Sequence, residues 1–264
     1  MKRPYAQRIP IKTRDEVDRM RVAARHVAEI LLDLRRLVRP GLTTRELDEH
    51  AEKAIQERGV VSSFKGYGPY GLPEYPAVIC VSINDEIVHG IPGPRTIEAG
   101  DLVSIDFGVA VDGFHGDSAV TVAVGEVGPE KQRLLEATRS SLDRAIEVMR
   151  PGRRLSDIGH AVQSFVEPAG YSVVRDFAGH GIGREMHEPP WIPNYGAEGR
   201  GPRLLPGMVF AIEPMVTAGG PEMEILDDEW TAVTADGSLA AHFEHTILIT
   251  EGEPEVLTRI EGSH

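Results

Sequence analysis

The chain has 264 residues, 41% hydrophobic and 26% charged, which is enough apolar material for a sizeable core in one large domain or two small ones. Its 41 acidic and 28 basic side chains leave a net charge of −13, which argues against a nucleic-acid binder and against an anionic-membrane binder. A single cysteine, Cys80, excludes an intrachain disulfide and a cysteine-rich zinc site. The opening Met1-Lys-Arg-Pro-Tyr-Ala-Gln-Arg8 lacks the apolar stretch of a signal peptide, and there is no run of ~20 apolar residues. The expected location is the cytoplasm.

Thr13, with Glu16 three residues on, predicts a capping box and a helix start. Val17, Met20, Ala24, Val27, Leu31, Leu34 and Val38 then recur at spacings of three and four, and Pro40-Gly41 ends the stripe. A second helix is expected from about Thr44 to Arg58, with Leu47, Ala51, Ala54 and Ile55 inward and Gly59 as its stop. Gly66 to Pro76 reads as a loop, and Ala77 to Asn84 as a strand. Ile87-Val-His-Gly-Ile-Pro92 follows, then a turn near Pro94.

Leu102–Val109 and Ser118–Val124 are β-rich runs on either side of Asp112-Gly113, the dipeptide favoured in a two-residue type I′ turn. With that turn, Val111 faces Phe114 and Gly108 faces Asp117. Asp106 then shares a face with Asp117 and lies diagonal to it, about 7–8 Å away at the backbone. Two bare carboxylates that close would repel, and one would stay protonated; a cation removes the conflict. On this stretch alone the pair is either a cation site or two aspartates on an exposed face.

The second half opens at Gly128-Pro129. Leu135, Thr138, Leu142, Ala145 and Met149 predict a helix that Arg150-Pro151-Gly152 stops, and another helix is expected from about Leu155 to Glu167, ending near Gly170. Tyr171–Phe177 and the run Ala241–Thr250 read as strands. His26, His50 and His160 fall on helix patterns and are expected to face solvent. An internal repeat is visible: Arg39-Pro40-Gly41 and Gly59 match Arg150-Pro151-Gly152 and Gly170 at an offset of 111 residues. Gly100-Asp-Leu-Val-Ser-Ile-Asp106 likewise matches Gly207-Met-Val-Phe-Ala-Ile-Glu213. Asp106 therefore corresponds to Glu213, and Asp117 to Glu244. The reading is one catalytic domain over 1–264, α+β in class, built from pseudo-symmetric halves of about 13–127 and 128–252.

Two halves related by a pseudo-twofold would bring four carboxylates to one axis. Four such charges are balanced by two divalent cations, so a dinuclear centre is expected. Oxygen ligands with a single imidazole suit Mn²⁺, Fe²⁺ or Co²⁺, whereas closed structural zinc sites prefer sulfur and nitrogen. His180 between Gly179 and Gly181 is the best candidate imidazole, because flanking glycines let the backbone pack tightly. Paired metals activate water and polarise a carbonyl, so the reaction class is hydrolysis.

Val88-His-Gly-Ile-Pro92, Ser104-Ile-Asp-Phe-Gly108, Gly116-Asp-Ser118, Gly179-His-Gly-Ile-Gly183 with His187, Phe210-Ala-Ile-Glu-Pro214 and Phe243-Glu-His-Thr246 together resemble the type I methionine aminopeptidases of bacteria, over roughly the whole chain. The resemblance implies the pita-bread fold, with a central antiparallel sheet flanked by helices. It implies Asp106, Asp117, His180, Glu213 and Glu244 as ligands of two divalent ions (Co, Mn or Fe(II), with Zn also admitted), Asp117 and Glu244 bridging. It places His187 near the scissile carbonyl and His89 near the following amide, and gives Glu213 a part in proton handling.

The implied substrate is a nascent polypeptide whose initiator methionine precedes a small residue, met at the ribosome or after it, by a monomer that contacts neither nucleic acid nor membrane. Tyr67, Tyr75, Cys80, Met186 and Trp230 are the implied methionine pocket, since aromatic and sulfur groups suit a thioether. Pro69-Tyr-Gly-Leu-Pro73 looks inserted relative to that family, and Met186 stands where the family often has an aromatic. Two other functions stay open at this level: a proline-directed peptidase of the creatinase–prolidase group, and a non-catalytic peptide binder on the same fold. Taken singly, His89 and His187 are ordinary loop histidines, Cys80 a small buried side chain and Trp230 a core residue; His115 and His245 sit beside ligands as supporting groups.

Overall fold

The computed structural model describes residues 8–260. The reading of the opening residues 1–8 therefore lies outside the described residues, apart from Arg8. In chain order the elements are α1 (Arg14–Leu37), α2 (Thr44–Arg58), β1 (Val61–Ser62), β2 (Cys80–Ile83), β3 (Glu86–Val88), β4 (Leu102–Val111), β5 (Phe114–Ala123), α3 (Pro129–Glu147) and α4 (Leu155–Val166). There follow β6 (Ser172–Val173), β7 (Gly179–Gly181), β8 (Glu188–Ile192), β9 (Val209–Ile212), β10 (Met215–Thr217), β11 (Met223–Ile225), β12 (Ala232–Thr234), β13 (Ala240–His242), β14 (His245–Leu248) and β15 (Glu255–Val256).

The local signals act as expected. Thr13 and Thr43 each cap a helix, with Glu16 and Glu46 reaching back to the cap amide. Gly59 ends α2 in the left-handed region that a side chain resists. Asp112 and Gly113 both take positive φ, 50° and 74°, as a type I′ turn requires. The β4–β5 hairpin keeps the register set by that turn, with Val111 facing Phe114 and Gly108 facing Asp117.

Three segments differ from the reading. The strand at Ala77–Asn84 begins only at Cys80, because the Val78 and Ile79 amides donate to Asp48 Oδ1 of α2 rather than to a strand. Of Tyr171–Phe177, only Ser172–Val173 pairs, with β10. The run Ala241–Thr250 splits into β13 and β14 at Phe243-Glu244. Among the helical histidines, His50 is exposed but His26 and His160 are half-buried, and His160 Nδ1 lies 3.2 Å from the Gly196 carbonyl.

The β14–β9 and β13–β10 ladders keep one register: His245 faces Ile212 and His242 faces Met215. Glu244 therefore falls opposite Glu213, at the point where the ladder opens. Pro214 has no amide to donate there.

The two halves are then sewn together along β5. Asp117 exchanges bonds with the Thr246 hydroxyl, Ala119 pairs with Glu244 through the backbone, and Thr121 exchanges bonds with His242. These three contacts share one antiparallel register, so the assigned sheets meet in the middle of the molecule. Helices cover the outer faces. Val27, Leu34, Leu47 and Ile55 pack on Ile105 and Phe107 in one core, and Leu142, Ile158 and Val162 pack on Phe210 and Ile247 in another. No helix among the described residues is long and apolar enough to cross a membrane.

Candidate functional site

The seam between the halves carries the acids. Asp106 comes from the middle of β4 and Asp117 from β5; Glu213 follows β9, and Glu244 lies between β13 and β14. Gly108, opposite Asp117, keeps the space clear: a Cβ there would lie 3.1 Å from Asp117 Oδ1 and 3.0 Å from the Phe64 ring. His180 sits on β7 between two glycines. A Cβ on Gly179 would come within 2.5 Å of the Ala211 carbonyl, and one on Gly181 within 2.2 Å of the Pro189 carbonyl, so only glycine lets this strand close on its neighbours. The Asn194 amide holds the Glu213 carbonyl at 3.0 Å, and Ser118 Oγ donates to the Glu244 carbonyl at 2.6 Å.

The side chains converge. Ligand atoms of Asp117, His180 and Glu244 all lie within 4.8 Å of one another. His180 Nε2 is 3.6 Å from Glu213 Oε1 and 3.9 Å from Asp117 Oδ2. Asp106 lies diagonal to Asp117 across the β4–β5 ladder, where Gly108 faces Asp117 and Asp106 faces Ala119. His180 Nδ1 is 2.9 Å from the Gly181 carbonyl, which can only accept, so the proton sits on Nδ1. The Nε2 lone pair is thereby aimed among the carboxylates, the tautomer a metal ligand needs.

Burial and mutual repulsion set the charge state. Asp106 is pushed up to about 7 by burial. Asp117 is raised well above the usual carboxylate range by burial, then by Glu244 and Asp106. Glu213 is raised by burial, then by Asp106 and Asp117. Glu244 is raised by burial, then by Glu213 and Asp106. His180 is lowered to about 3, by burial and by His187. Asp106 Oδ1, Asp117 Oδ1 and Glu244 Oε1 are sealed from solvent without a hydrogen-bond partner. Buried oxygens of this kind are satisfied by a cation. Four carboxyls, three of them with an orphaned oxygen, around one correctly oriented imidazole fit divalent metal in their donor chemistry.

The remaining predicted residues surround this centre. His89 follows β3 with φ of 62°, an uncommon conformation for a side-chain-bearing residue; its ring meets Phe177 and Trp230 edge-on at 5.1 and 6.2 Å. Its pKa is lowered to about 4, by burial and by His187. The His187 ring, in the β7–β8 connection, lies 4.3 Å from the His180 ring, tilted by 48°, and its pKa is lowered to about 4, by burial and by His115. Tyr75, Cys80, Met186 and Trp230 belong to one apolar cluster with Phe64, and Tyr67 packs against it. The Cys80 thiol is pushed up by burial and by Asp106, which it faces across β2–β4. Tyr75 Oη donates to the Ile79 and Gly90 carbonyls, and its ring meets Trp230 at 5.2 Å. The Pro69–Pro73 segment touches this cluster: Trp230 Nε1 donates to the Pro73 carbonyl at 3.1 Å. His115 bonds Ser63 Oγ, and His245 bonds Thr258 Oγ1.

Sequence reasoning missed three residues here. His242 is 1% exposed, and its orphaned Nε2 lies 3.8 Å from Glu213 Oε2. Its spacing from Glu244 was the available signal, since residues two apart on a strand share a face. Asn194 and Phe177 carried no such signal.

The model of metallopeptidase family M24 matches residues 18–251. Methionine aminopeptidase 1 of Bacillus subtilis is 49% identical over 249 residues, covering 94% of this chain and 98% of that protein. The crystal structure of methionine aminopeptidase from Thermotoga maritima superposes with a TM-score of 0.92 at 44% identity, covering 96% of this chain and all of that one. Prolidase from Pyrococcus furiosus shares the fold alone, with a TM-score of 0.75 at 23% identity over 66% of that chain. The fold is thus that of the pita-bread peptidases, and the chain belongs to metallopeptidase family M24.

Proposed function

We propose that this protein is a methionyl aminopeptidase. It removes the initiator methionine from nascent polypeptides when the next residue is small. The observation that carries the reading is the group of four carboxyls, three of them with a sealed and unpartnered oxygen, beside the Nε2 lone pair of His180 and set against an apolar cluster rich in aromatic and sulfur side chains. Relatives that share nearly the full length carry the same activity in their names.

Asp106, Asp117, His180, Glu213 and Glu244 would hold two divalent ions. Bound there, such ions supply Lewis acidity and water that is nucleophilic at neutral pH. The protein's own groups do the rest. Glu213 has one oxygen toward His180 and the other toward His242, and it accepts the proton of the attacking water. His187 and His89 are both neutral at pH 7, so each offers one donor and one acceptor. His187 takes the scissile carbonyl, and His89 the amide that follows. Tyr67, Tyr75, Cys80, Met186 and Trp230 receive the methionine side chain, a flexible thioether that aromatic edges bind well. The halves 13–127 and 128–252 act as one catalytic domain, because the ligands come from both. The enzyme works in the cytoplasm as a monomer, where unprocessed chains are made, and meets them as they leave the ribosome without touching nucleic acid; the charge of −13 accords with that.

The test is release of methionine from Met-Ala-Ser but not of alanine from Ala-Ala-Ser, with Co²⁺ or Mn²⁺ supplied. Equal cleavage of both, or cleavage of X-Pro dipeptides alone, overturns the reading.

A further inference from the structure

The phenol of Tyr67 lies 2.7 Å from His187 Nδ1, and the two rings are 5.2 Å apart, tilted by 34°. Among the described residues no other side chain hydrogen-bonds this imidazole. The same ring also lies against His180, whose ring is 4.3 Å away. One nitrogen of His187 is therefore held from outside while the ring stands against the metal-ligand group.

The backbone around Tyr67 explains why its hydroxyl stays in place. Tyr67 N donates to the Phe64 carbonyl, Tyr75 N to the Tyr67 carbonyl, and Gly66 N to the Tyr75 carbonyl, at 2.9, 2.8 and 2.9 Å. These bonds pinch the chain shut at the base of the Pro69–Pro73 segment. The far side of that segment is tied down by the bond from Trp230 to the Pro73 carbonyl. The Pro69–Pro73 segment leaves and returns with the Tyr67 backbone held at its base.

We propose that Tyr67 is a positioning residue for His187, which goes beyond its place in the methionine pocket and rests on the aminopeptidase reading above. Its O–H donates to Nδ1, which leaves the proton of the neutral imidazole on Nε2. Nε2–H is then a donor directed at the substrate carbonyl oxygen, where negative charge develops as water adds. A free imidazole would divide its time between two tautomers and several rotations, and only one combination presents that donor. Tyr67 thus acts on the rate through His187, and its ring adds apolar contact for the methionine side chain.

The experiment is a double-mutant cycle of Tyr67→Phe and His187→Ala on the full-length, Mn²⁺-loaded enzyme with Met-Ala-Ser. Phenylalanine keeps the ring and removes only the hydroxyl. Expected for Tyr67→Phe is a fall in kcat of about tenfold, the scale of one hydrogen bond in a transition state, with KM within about twofold and metal content unchanged. In the His187→Ala background the same substitution has no further effect, because the group it acts through is gone. Nitrogen shifts of ¹⁵N-histidine-labelled, metal-free protein give a reading independent of turnover. Wild type shows the Nε2–H tautomer at His187, and Tyr67→Phe shows a mixture. Losses that multiply across the cycle, a change in KM alone, or an unchanged tautomer overturn the proposal. A wild-type enzyme that releases no methionine overturns the aminopeptidase reading instead.

Discussion

Replacing Asp106 with asparagine should change stability in opposite directions with and without metal. Asp106 is half-buried as a residue, but its Oδ1 is sealed and unpartnered. Burial raises its pKa from 3.8 to about 7. The folded pKa stands above the unfolded one, so the metal-free protein takes up a proton on folding anywhere between those values. Stability therefore falls as pH rises through that window and levels off above about 7. The full span corresponds to ~4 kcal/mol, and solvent reaching the half-buried residue reduces it. Asparagine carries no charge but leaves an amide to satisfy, at about 1–3 kcal/mol. At pH 8 the metal-free variant should thus be more stable than metal-free wild type by roughly 1–3 kcal/mol, on the order of 2–6 °C in Tm for a chain of this size. At pH 4 that advantage should vanish. Adding Mn²⁺ should reverse the order, because binding to the folded state stabilises by mass action and the variant binds poorly. Thermal melts at pH 4 and pH 8, with Mn²⁺ and with chelator, read all four combinations. A variant destabilised equally in every condition, and stabilised by metal as much as wild type, would refute this electrostatic account.

Gly108→Ala should push the new methyl against Asp117 Oδ1 and the Phe64 ring, costing about 1–3 kcal/mol and weakening Mn²⁺ affinity; calorimetry that finds wild-type affinity counts against the crowding argument. Thr246→Val removes the hydroxyl that bonds both the amide and the carbonyl of Asp117, so urea unfolding should show a loss of about 1–3 kcal/mol, and an unchanged midpoint would show that this seam contributes nothing. Metal uptake should release protons at pH 6, where Asp106, pushed up to about 7 by burial, is still largely protonated, and affinity should climb as pH rises toward 7; binding heats that do not depend on buffer ionisation would contradict this.

The helices and the first hairpin were legible because their signals are local. The capping threonines, Gly59 and Asp112-Gly113 act within a few residues of themselves, and the register of β4–β5 follows from the turn alone. The acids could be paired between halves because the two repeats align Asp106 with Glu213. Their geometry was less legible. Asp106 and Asp117 lie diagonally on one hairpin, whereas Glu213 and Glu244 face each other directly, a two-residue difference that long connections conceal. Strand ends were over-read where apolar character outlasts ladder bonding, as at Val78 and Ile79, whose amides turn to a helix carboxylate. The spacing of His242 from Glu244 pointed toward the acids, but its contact with Glu213 depends on a segment about thirty residues away that no local pattern identifies. Periodicity reports which face a residue takes, not which remote segment will meet it.

If side chains from both halves hold two cations where peptide hydrolysis occurs, metal counting on the working enzyme will show it. Chelated protein should be inactive toward Met-Ala-Ser, and activity should return on titration with Mn²⁺ as the bound metal approaches two ions per chain. Full methionine release by protein shown to carry no divalent metal, or metal uptake unaffected by removing both Asp106 and Glu244, would contradict it.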